Sequence, residues 1–327
     1  MEPLVSICCI TYNHEKYIAD ALDSFLMQQV SFSYEIIVHD DASTDKTAKI
    51  IREYEKNYPS IIKPIYQTEN QYSKGKKPLR DFVLPLVKGK YMATCEGDDF
   101  WIDTEKLKKQ VQFLEEDQTF IACFHAVKVV NTDKSPTGRY LGLYRKGSQV
   151  LSINDAGLGG VVHVSSRLLR TDFYRKEYPE WIYNSRYGDI ALALYLAIEG
   201  KVYYMDRVMS AYRIGVENSM MTNHRKTNHN ANEINLHHNI LETLKIADEY
   251  YNYRYHKEIE QIGITSHVTI NLLSNDFSSV AIKNYCNYIK QKGLIGLVKI
   301  FLLRKAPFVV KIFGNLKKKI LMIKMNG

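Results

Sequence analysis

Three carboxylates stand within four positions in the stretch Glu96-Gly97-Asp98-Asp99, directly after an apolar run and directly before a segment with helical spacing. Carboxylates this close repel one another, and burying them unpaired costs several kcal/mol. A divalent cation relieves both costs, and carboxylate oxygens together with substrate phosphates are the ligands that Mg²⁺ and Mn²⁺ prefer. The stretch therefore predicts a cation site, with a solvated acidic turn as the alternative.

The segments around this stretch alternate between strand and helix patterns. β-rich apolar runs at residues 4–10 and 34–38 are each followed by an amphipathic helical pattern, at residues 17–27 and 47–58. Further strands are predicted at residues 61–66, 91–94, 120–130 and 201–205. The alternation indicates an α/β fold with a mostly parallel central sheet flanked by helices. Ser43 or Thr44 is expected to cap the second helix.

Polar residues follow three of the predicted strands. Thr11-Tyr12-Asn13 comes after the first strand, Asp40-Asp41 after the second, and Glu96-Gly97-Asp98-Asp99 after the fourth. In parallel sheets ligands bind beyond the carboxyl ends of the strands, so these residues are expected to line one pocket. Tyr12 can stack on a planar base or serve only in packing, and Asp41 can accept a hydrogen bond from the N–H of a base.

Two further features fit such a pocket. The loop of residues 71–77 is basic and contains glycine, so Lys74 can reach a diphosphate, although a solvated surface loop has the same composition. Asp189 follows Gly188 at the start of an apolar helix, where the helix dipole favours a carboxylate. A carboxylate there can also remove a proton from an acceptor hydroxyl. Together with a cation, these residues imply group transfer from a nucleotide-diphosphate donor.

Three segments resemble the family-2 inverting glycosyltransferases with the GT-A fold. They are Val5-Ser6-Ile7 with Thr11-Tyr12-Asn13, the run Glu-Ile-Ile-Val-His-Asp-Asp-Ala-Ser-Thr-Asp at residues 35–45, and Glu96-Gly97-Asp98-Asp99. The resemblance covers residues 3–214. It implies direct displacement at the anomeric carbon of a nucleotide-diphosphate sugar, with inversion, and a requirement for Mn²⁺ or Mg²⁺.

Carried over by position, the resemblance also assigns roles on the donor side. Tyr12, with Thr11 and Asn13 beside it, would pack on the nucleobase, and Asp41 would hydrogen-bond it. Asp98 would face the ribose or the metal, and Asp99 would be the principal metal ligand. The family motif begins with Asp where this chain has Glu96, so no metal role is carried over to that residue.

On the acceptor side, the resemblance makes Asp189, in Tyr187-Gly188-Asp189, the general base. His163 matches a position near the acceptor. Arg213 is placed on the same side, with a structural ion pair as its alternative, and His224 is a candidate for the metal or the diphosphate. The chain has no Gln-x-x-Arg-Trp sequence, which processive members usually carry, and this favours transfer of a single sugar.

The net charge of +8 is concentrated at the C-terminal end. Residues 294–327 hold eight Lys and Arg and no acid, and removing those eight from the total of 44 leaves 36, which equals the 36 acidic residues. Two apolar segments separated by Pro307 carry these charges, which predicts a basic amphipathic helix on an anionic membrane, at about 1 kcal/mol per basic residue. A helix packed on the catalytic domain is the alternative, and no nucleic-acid-binding motif is found.

The predicted organisation is a GT-A catalytic domain at residues 1–225, a helical region at 226–292 and the basic tail at 293–327. The five cysteines form no CxxC pair and are expected to be mostly buried and reduced. No secretory leader or span of about 20 apolar residues is found, so a cytoplasmic protein, peripheral at the inner face of the cell membrane, is expected.

The sequence and the resemblance therefore predict a single-sugar transferase that takes a nucleotide-diphosphate sugar, a UDP-sugar, as its donor. Its acceptor is a hydroxyl of a surface-polysaccharide or lipid-linked glycan. A nucleotidyltransferase of similar α/β fold is one alternative, although such enzymes typically carry an early Gly-rich basic loop where this chain has Thr11-Tyr12-Asn13-His14. A non-catalytic scaffold tethered to a membrane is the other.

Overall fold

A computed structural model describes residues 2–305 except 144, 157–160, 177, 186–187 and 218–228. Four parallel strands form the first half of its sheet, in the spatial order β3-β2-β1-β4. They are β1 (Val5–Thr11), β2 (Tyr34–Asp40), β3 (Ile62–Tyr66) and β4 (Tyr91–Glu96). These are the strands that the apolar runs predicted, and their carboxyl ends lie at one edge.

The second half of the sheet is mixed, whereas most residue pairs of the described sheet as a whole are parallel, as expected. It contains β5 (Phe100–Trp101), β6 (Phe120–Val130), β7 (Pro136–Leu141), β8 (Gln149–Val150), β9 (Leu168–Arg170) and β10 (Lys201–Arg213). β9 lies between β4 and β6 and is antiparallel to both, whereas β10 is parallel to β6. β5, β7 and β8 add antiparallel pairs, which need no long crossover connection.

Helices cover the sheet, and most were predicted by their apolar spacing. They are α1 (Ile18–Leu26), α2 (Thr47–Asn57), α3 (Lys106–Glu116), α4 (Ile153–Ala156), α5 (Thr171–Tyr174), α6 (Glu180–Asn184), α7 (Gly188–Glu199), α8 (His229–Tyr250), α9 (His256–Leu273) and α10 (Ser279–Lys305). The predicted cap of α2 was wrong. Asp45 accepts the Thr47 N–H at 2.9 Å, while the Ser43 hydroxyl donates to Asp40 instead.

The core lies on both faces of the parallel strands. Ile7 and Cys9 of β1 belong to the apolar cluster on one face, and Cys8 between them belongs to the cluster on the other. Strands covered on both faces read as continuous apolar runs, which is why they were visible in the sequence. Four of the five free cysteines are buried as expected, and Cys286 is exposed.

The C-terminal part of the described chain is helical, with α9 packed against α8 and α10. Gly293 has a φ of +61° and breaks α10 at the point where the basic tail was predicted to begin. The domain boundaries stay predictions, and residues 306–327 of the tail lie outside the described part. None of the helices in the described part has the length and apolar character needed to cross a membrane.

Lys106 of α3 is a fully buried lysine, and we expect its replacement to stabilise the protein. Its Nζ lies 4.1 Å from the Trp101 ring centroid and donates to Gln110 Oε1 at 2.8 Å. Burial lowers the pKa of Lys106 from 10.5 to about 7. The unfolded chain therefore binds the proton more tightly, and the resulting cost is fully present below pH 7 and disappears as the pH rises toward 10.5.

We therefore expect Lys106→Met to raise the free energy of unfolding at pH 7 by about 1–2 kcal/mol, after the loss of the contact with Gln110. The gain should shrink at pH 9.5, as measured by urea unfolding at both pH values. Lys108→Met is the matched control, because Lys108 is exposed on the same helix. A gain of equal size at both pH values would show that proton linkage is not the cause.

Candidate active site

Glu96, Asp98 and Asp99 form one cluster at the end of β4, with one carboxylate oxygen from each residue within 4.8 Å of the others. Asp99 is fully buried, Asp98 is 8% exposed, and Glu96 opens to solvent. Asp99 Oδ1 accepts the backbone N–H of Arg213 at 2.9 Å. Asp99 Oδ2 is buried and has no hydrogen-bond partner among the residues that the structure describes.

Among the described residues, the nearby cations offset the negative charge of this cluster only in part. Burial, followed by the charges of Asp98 and Glu96, raises the pKa of Asp99 well above its usual range. Desolvation in the crowded cleft, followed by the Asp98 charge, raises the pKa of Glu96 to about 7, although part of its side chain reaches solvent. Clustered carboxylate oxygens with one buried oxygen unpartnered are suited to Mg²⁺ or Mn²⁺. The residues present therefore fit the cation that the sequence predicted.

Gly97 allows the loop after β1 to lie against this cluster. A Cβ at Gly97 would lie 2.7 Å from Thr11 Oγ1 and 3.1 Å from His14 Nδ1. His14 Nε2 lies 3.9 Å from Asp98 Oδ2, and burial lowers the pKa of His14 although Asp98 opposes the shift. His14 was not among the predicted site residues. Its only signal was its place directly after Thr11-Tyr12-Asn13.

The three polar residues after β1 differ in their contacts. Thr11 is buried with Oγ1 unpartnered, and Tyr12 is 42% exposed at the open edge. Asn13 has a φ of +56° and binds the loop after β2. Its Oδ1 accepts the Thr44 N–H at 2.8 Å, and its N–H donates to Ser43 Oγ at 2.9 Å. Asn13 thus joins the two loops, and the donor contacts predicted for all three residues stay predictions.

Asp41 binds the loop that follows β3. Its Oδ1 accepts the Gln71 N–H at 2.8 Å and its Oδ2 accepts the Tyr72 N–H at 3.0 Å. Lys74 lies in the same loop, at the end of a short 3₁₀ turn, Tyr72–Lys74. It forms an exposed ion pair with Glu69. The nucleobase contact of Asp41 and the diphosphate contact of Lys74 stay predictions.

Asp189 is exposed in the first turn of α7 and lies within electrostatic reach of the cluster, since its charge contributes to the raised pKa of Glu96. Arg167, which the sequence analysis did not single out, opposes that shift. It is buried, and its Nε and one terminal nitrogen each donate to the Val162 carbonyl at 3.2 Å. Glu96 thus lies within electrostatic reach of one further acid and one buried cation.

His163 begins the 3₁₀ turn Val164–Ser166, where its Nδ1 accepts the Ser165 N–H at 3.3 Å. Its ring centroid lies 4.7 Å from that of Tyr212. Burial, followed by the Arg167 charge, lowers the pKa of His163 to about 3, so the imidazole is neutral at pH 7. Because Nδ1 accepts the Ser165 N–H, the one proton of the neutral ring is on Nε2. Its role toward an acceptor stays a prediction.

The Arg213 side chain forms a structural ion pair, which was the alternative to the predicted place on the acceptor side. One terminal nitrogen lies 2.8 Å from Asp20 Oδ2, and the guanidinium lies 4.6 Å from the Tyr17 ring centroid. The side chain is 1% exposed, so an acceptor contact would require this pair to break. Arg213 touches the cluster through its backbone N–H. Tyr187, His224 and the glycine-rich residues 157–160 lie outside the described part.

Comparison with known sequences gives a family. The model of glycosyl transferase family 2 matches residues 6–177, which is more than half of the chain. An uncharacterized protein of Mycobacterium tuberculosis is 34% identical over 225 residues, covering 68% of this chain and 63% of that protein. The UDP-Glc:alpha-D-GlcNAc-diphosphoundecaprenol beta-1,3-glucosyltransferase of Escherichia coli is 35% identical over 119 residues, covering 36% of this chain and 44% of that enzyme. The matches thus span less than two thirds of these relatives' own lengths.

Comparison with solved structures supports the fold. S. aureus TarS in complex with UDP aligns with a TM-score of 0.54 at 15% identity, covering 94% of this chain and 91% of that one. The mannosyltransferase PcManGT from Pyrobaculum calidifontis, in complex with GDP-Man and Mn²⁺, aligns with a TM-score of 0.58 at 14% identity, covering 99% and 87%. The mixed sheet, its flanking helices and the family match agree, and we conclude that the chain belongs to glycosyl transferase family 2 and has the GT-A fold.

Proposed function

We propose that this protein is an inverting, metal-dependent glycosyltransferase that moves a single sugar from a nucleotide-diphosphate sugar to an acceptor hydroxyl. The observation that carries the proposal is the unpartnered, buried Asp99 Oδ2 among three carboxylates at the strand ends. Tyr12 and Asp41 at the neighbouring strand ends supply a place for a nucleobase, and Asp189 supplies a carboxylate on the open side. Family membership agrees with this assignment.

The residues divide the chemistry between them. Asp99 and Asp98 would hold Mn²⁺ or Mg²⁺, which neutralises charge on the nucleoside diphosphate when bound. Asp189 takes the proton of the acceptor hydroxyl while the acceptor oxygen attacks the anomeric carbon. The bond from that carbon to the diphosphate oxygen breaks on the opposite face, so the configuration inverts. The neutral His163 can donate a hydrogen bond from Nε2 to a sugar hydroxyl.

The names of relatives support a donor and an acceptor class. The Escherichia coli relative is named for a UDP-Glc donor and a diphosphoundecaprenol-linked acceptor. A Bacillus subtilis relative, 33% identical over 140 residues, is a putative teichuronic acid biosynthesis glycosyltransferase. We therefore propose a UDP-hexose or UDP-N-acetylhexosamine donor, and a surface-polysaccharide or lipid-linked glycan acceptor.

A screen of donor nucleotides tests the proposal. We expect one of UDP-, GDP- and CDP-sugars to raise the Tm in the presence of Mn²⁺ by about 5 °C at about 100 times its Kd, and by much less in EDTA. A product carrying the transferred sugar should then form with a lipid-linked glycan acceptor. Binding without turnover would favour the scaffold alternative, and no stabilisation by any of these nucleotides would contradict the proposal.

We also propose that residues 293–327 hold the enzyme at the inner face of the cell membrane. The support is the one-sided charge of this segment and the break in α10 at Gly293. We expect the full chain to sediment with vesicles containing anionic lipid at 0.1 M salt, and to sediment less as salt screens the basic residues. A variant ending at Lys292 should stay in the supernatant. Equal recovery of both proteins in the supernatant would contradict this localisation.

A further inference from the structure

The Asp41 carboxylate holds the loop after β3 in place. Its two oxygens accept the N–H groups of consecutive residues, Gln71 and Tyr72, at 2.8 and 3.0 Å. The same segment is bound twice more, since Asn70 Nδ2 donates to the Asp41 carbonyl at 3.3 Å and the Gln67 N–H donates to the Asp40 carbonyl at 2.9 Å. A buried carboxylate that accepts two backbone N–H groups is fixed in direction, and it fixes the residues that donate.

This loop presents a second exposed tyrosine beside Asp41. Tyr72 is 63% exposed and Tyr12 is 42% exposed, and among the described residues neither ring packs against another aromatic ring. Their backbones are both tied to Asp41. The Tyr72 N–H donates to its carboxylate, and the Asp41 N–H donates to the carbonyl of Thr11, the residue before Tyr12.

The chain reaches the two tyrosines from strands on opposite sides of β2, the strand that ends beside Asp41. β2, which ends at Asp40, lies between β1 and β3. Tyr12 follows β1 and Tyr72 follows β3, so the width of two strand spacings, about 10 Å, separates the strands that lead to them. That width admits a planar ring between two aromatic side chains. The buried Asp41 carboxylate follows the strand between these two, and its oxygens keep lone pairs for one more N–H.

We infer that Tyr72 is the second aromatic face of the nucleobase site, opposite Tyr12, and that Asp41 is the positioning residue that holds it there. The inference rests on the proposed function and adds a residue to its donor site. The ligand is the heteroaromatic base of a nucleoside diphosphate, stacked between the two rings. Base stacking on an aromatic side chain tolerates different bases, so selection among bases falls to the Asp41 carboxylate and its neighbours.

Calorimetric titration of UDP, GDP and CDP with Mn²⁺ tests the role of Tyr72. For the nucleotide that binds wild type best, we expect Tyr72→Ala to raise the Kd by about 5- to 100-fold and Tyr72→Phe to change it by less than about twofold. Tyr58→Ala is the matched control, because Tyr58 is 41% exposed at the end of α2. Inorganic pyrophosphate with Mn²⁺ lacks a base, so its Kd should not change in any of these variants.

The outcomes separate the inference from the proposed function. Unchanged nucleotide affinity in Tyr72→Ala, or an equal loss for nucleotide and pyrophosphate, overturns the inference alone. Failure of wild type to bind any of the three nucleotides overturns both.

Limited trypsin digestion tests the positioning role of Asp41. Asn at this position keeps one acceptor oxygen but turns an NH₂ donor toward a backbone N–H. We expect Asp41→Asn to be cleaved at Lys74 or Lys76 at least about fivefold faster than wild type, because released loop segments are preferred cleavage sites. Cleavage at the wild-type rate would show that Asp41 does not hold the loop, and would overturn this part of the inference.

Discussion

Asp189→Asn is expected to lower the rate of sugar transfer by about 10²- to 10⁴-fold and to leave the donor Kd within about twofold of wild type. The amide has nearly the same shape as the carboxylate but cannot take the acceptor proton. Asp189 is exposed in the first turn of α7, within electrostatic reach of Glu96, and no described hydrogen bond holds the fold through it. Product formation by mass spectrometry and donor titration by calorimetry measure the two effects separately.

Asp172→Asn is the control for this experiment. Asp172 is also an exposed acid in the first turn of a helix, α5, so its replacement removes the same favourable interaction with a helix N-terminus, about 0.3–1 kcal/mol. We expect normal transfer in this control. Near-normal turnover in Asp189→Asn, or loss of donor binding in step with turnover, would exclude Asp189 as the general base.

The positions of the strand-end residues could be predicted because their strands are buried on both faces. Such strands read as apolar runs, and the polar residue after each run marks the ligand edge of a parallel sheet. Thr11, Asp41 and the cluster at Glu96 to Asp99 were found in this way. The short antiparallel strands could not be found, since β5 and β8 have only two residues each and no periodicity.

Contacts of side chains with residues distant in the sequence could also not be predicted from the sequence pattern. Arg213 pairs with Asp20 across 193 positions, and nothing near either residue indicates the other. Asp41 accepts the backbone N–H groups of Gln71 and Tyr72. Nearly every residue type has such a group, so the sequence does not indicate which residues donate to Asp41. No pattern in the sequence marks Arg167 as a site residue, because only the fold buries it within electrostatic reach of Glu96. Residue types thus indicated the chemistry of the site, and tertiary contacts decided which side chains are free to perform it.

Asp99→Asn is expected to weaken Mn²⁺ binding by about 100-fold or more. Replacing a residue that only hydrogen-bonds to a metal ligand lowers metal affinity by about 10- to 100-fold, and loss of the ligand itself should lower it at least as much. The variant should nevertheless fold. The amide oxygen can still accept the Arg213 N–H, and the new NH₂ can donate to the neighbouring carboxylates of Glu96 and Asp98. Titration of Mn²⁺ followed by electron paramagnetic resonance gives the affinity without any need for turnover.

Stability without metal gives the second half of this prediction. Burial and two neighbouring charges already oppose ionisation of Asp99, so removing its charge should leave the free energy of unfolding in EDTA equal to wild type or about 1 kcal/mol higher. Glu53→Gln, at an exposed acid on α2, should change neither quantity. Mn²⁺ affinity of wild-type strength in Asp99→Asn would mean that the cation is held elsewhere. A large loss of stability in EDTA would mean that this carboxylate serves the fold and not a cation, because a group kept for binding should cost stability when its ligand is absent.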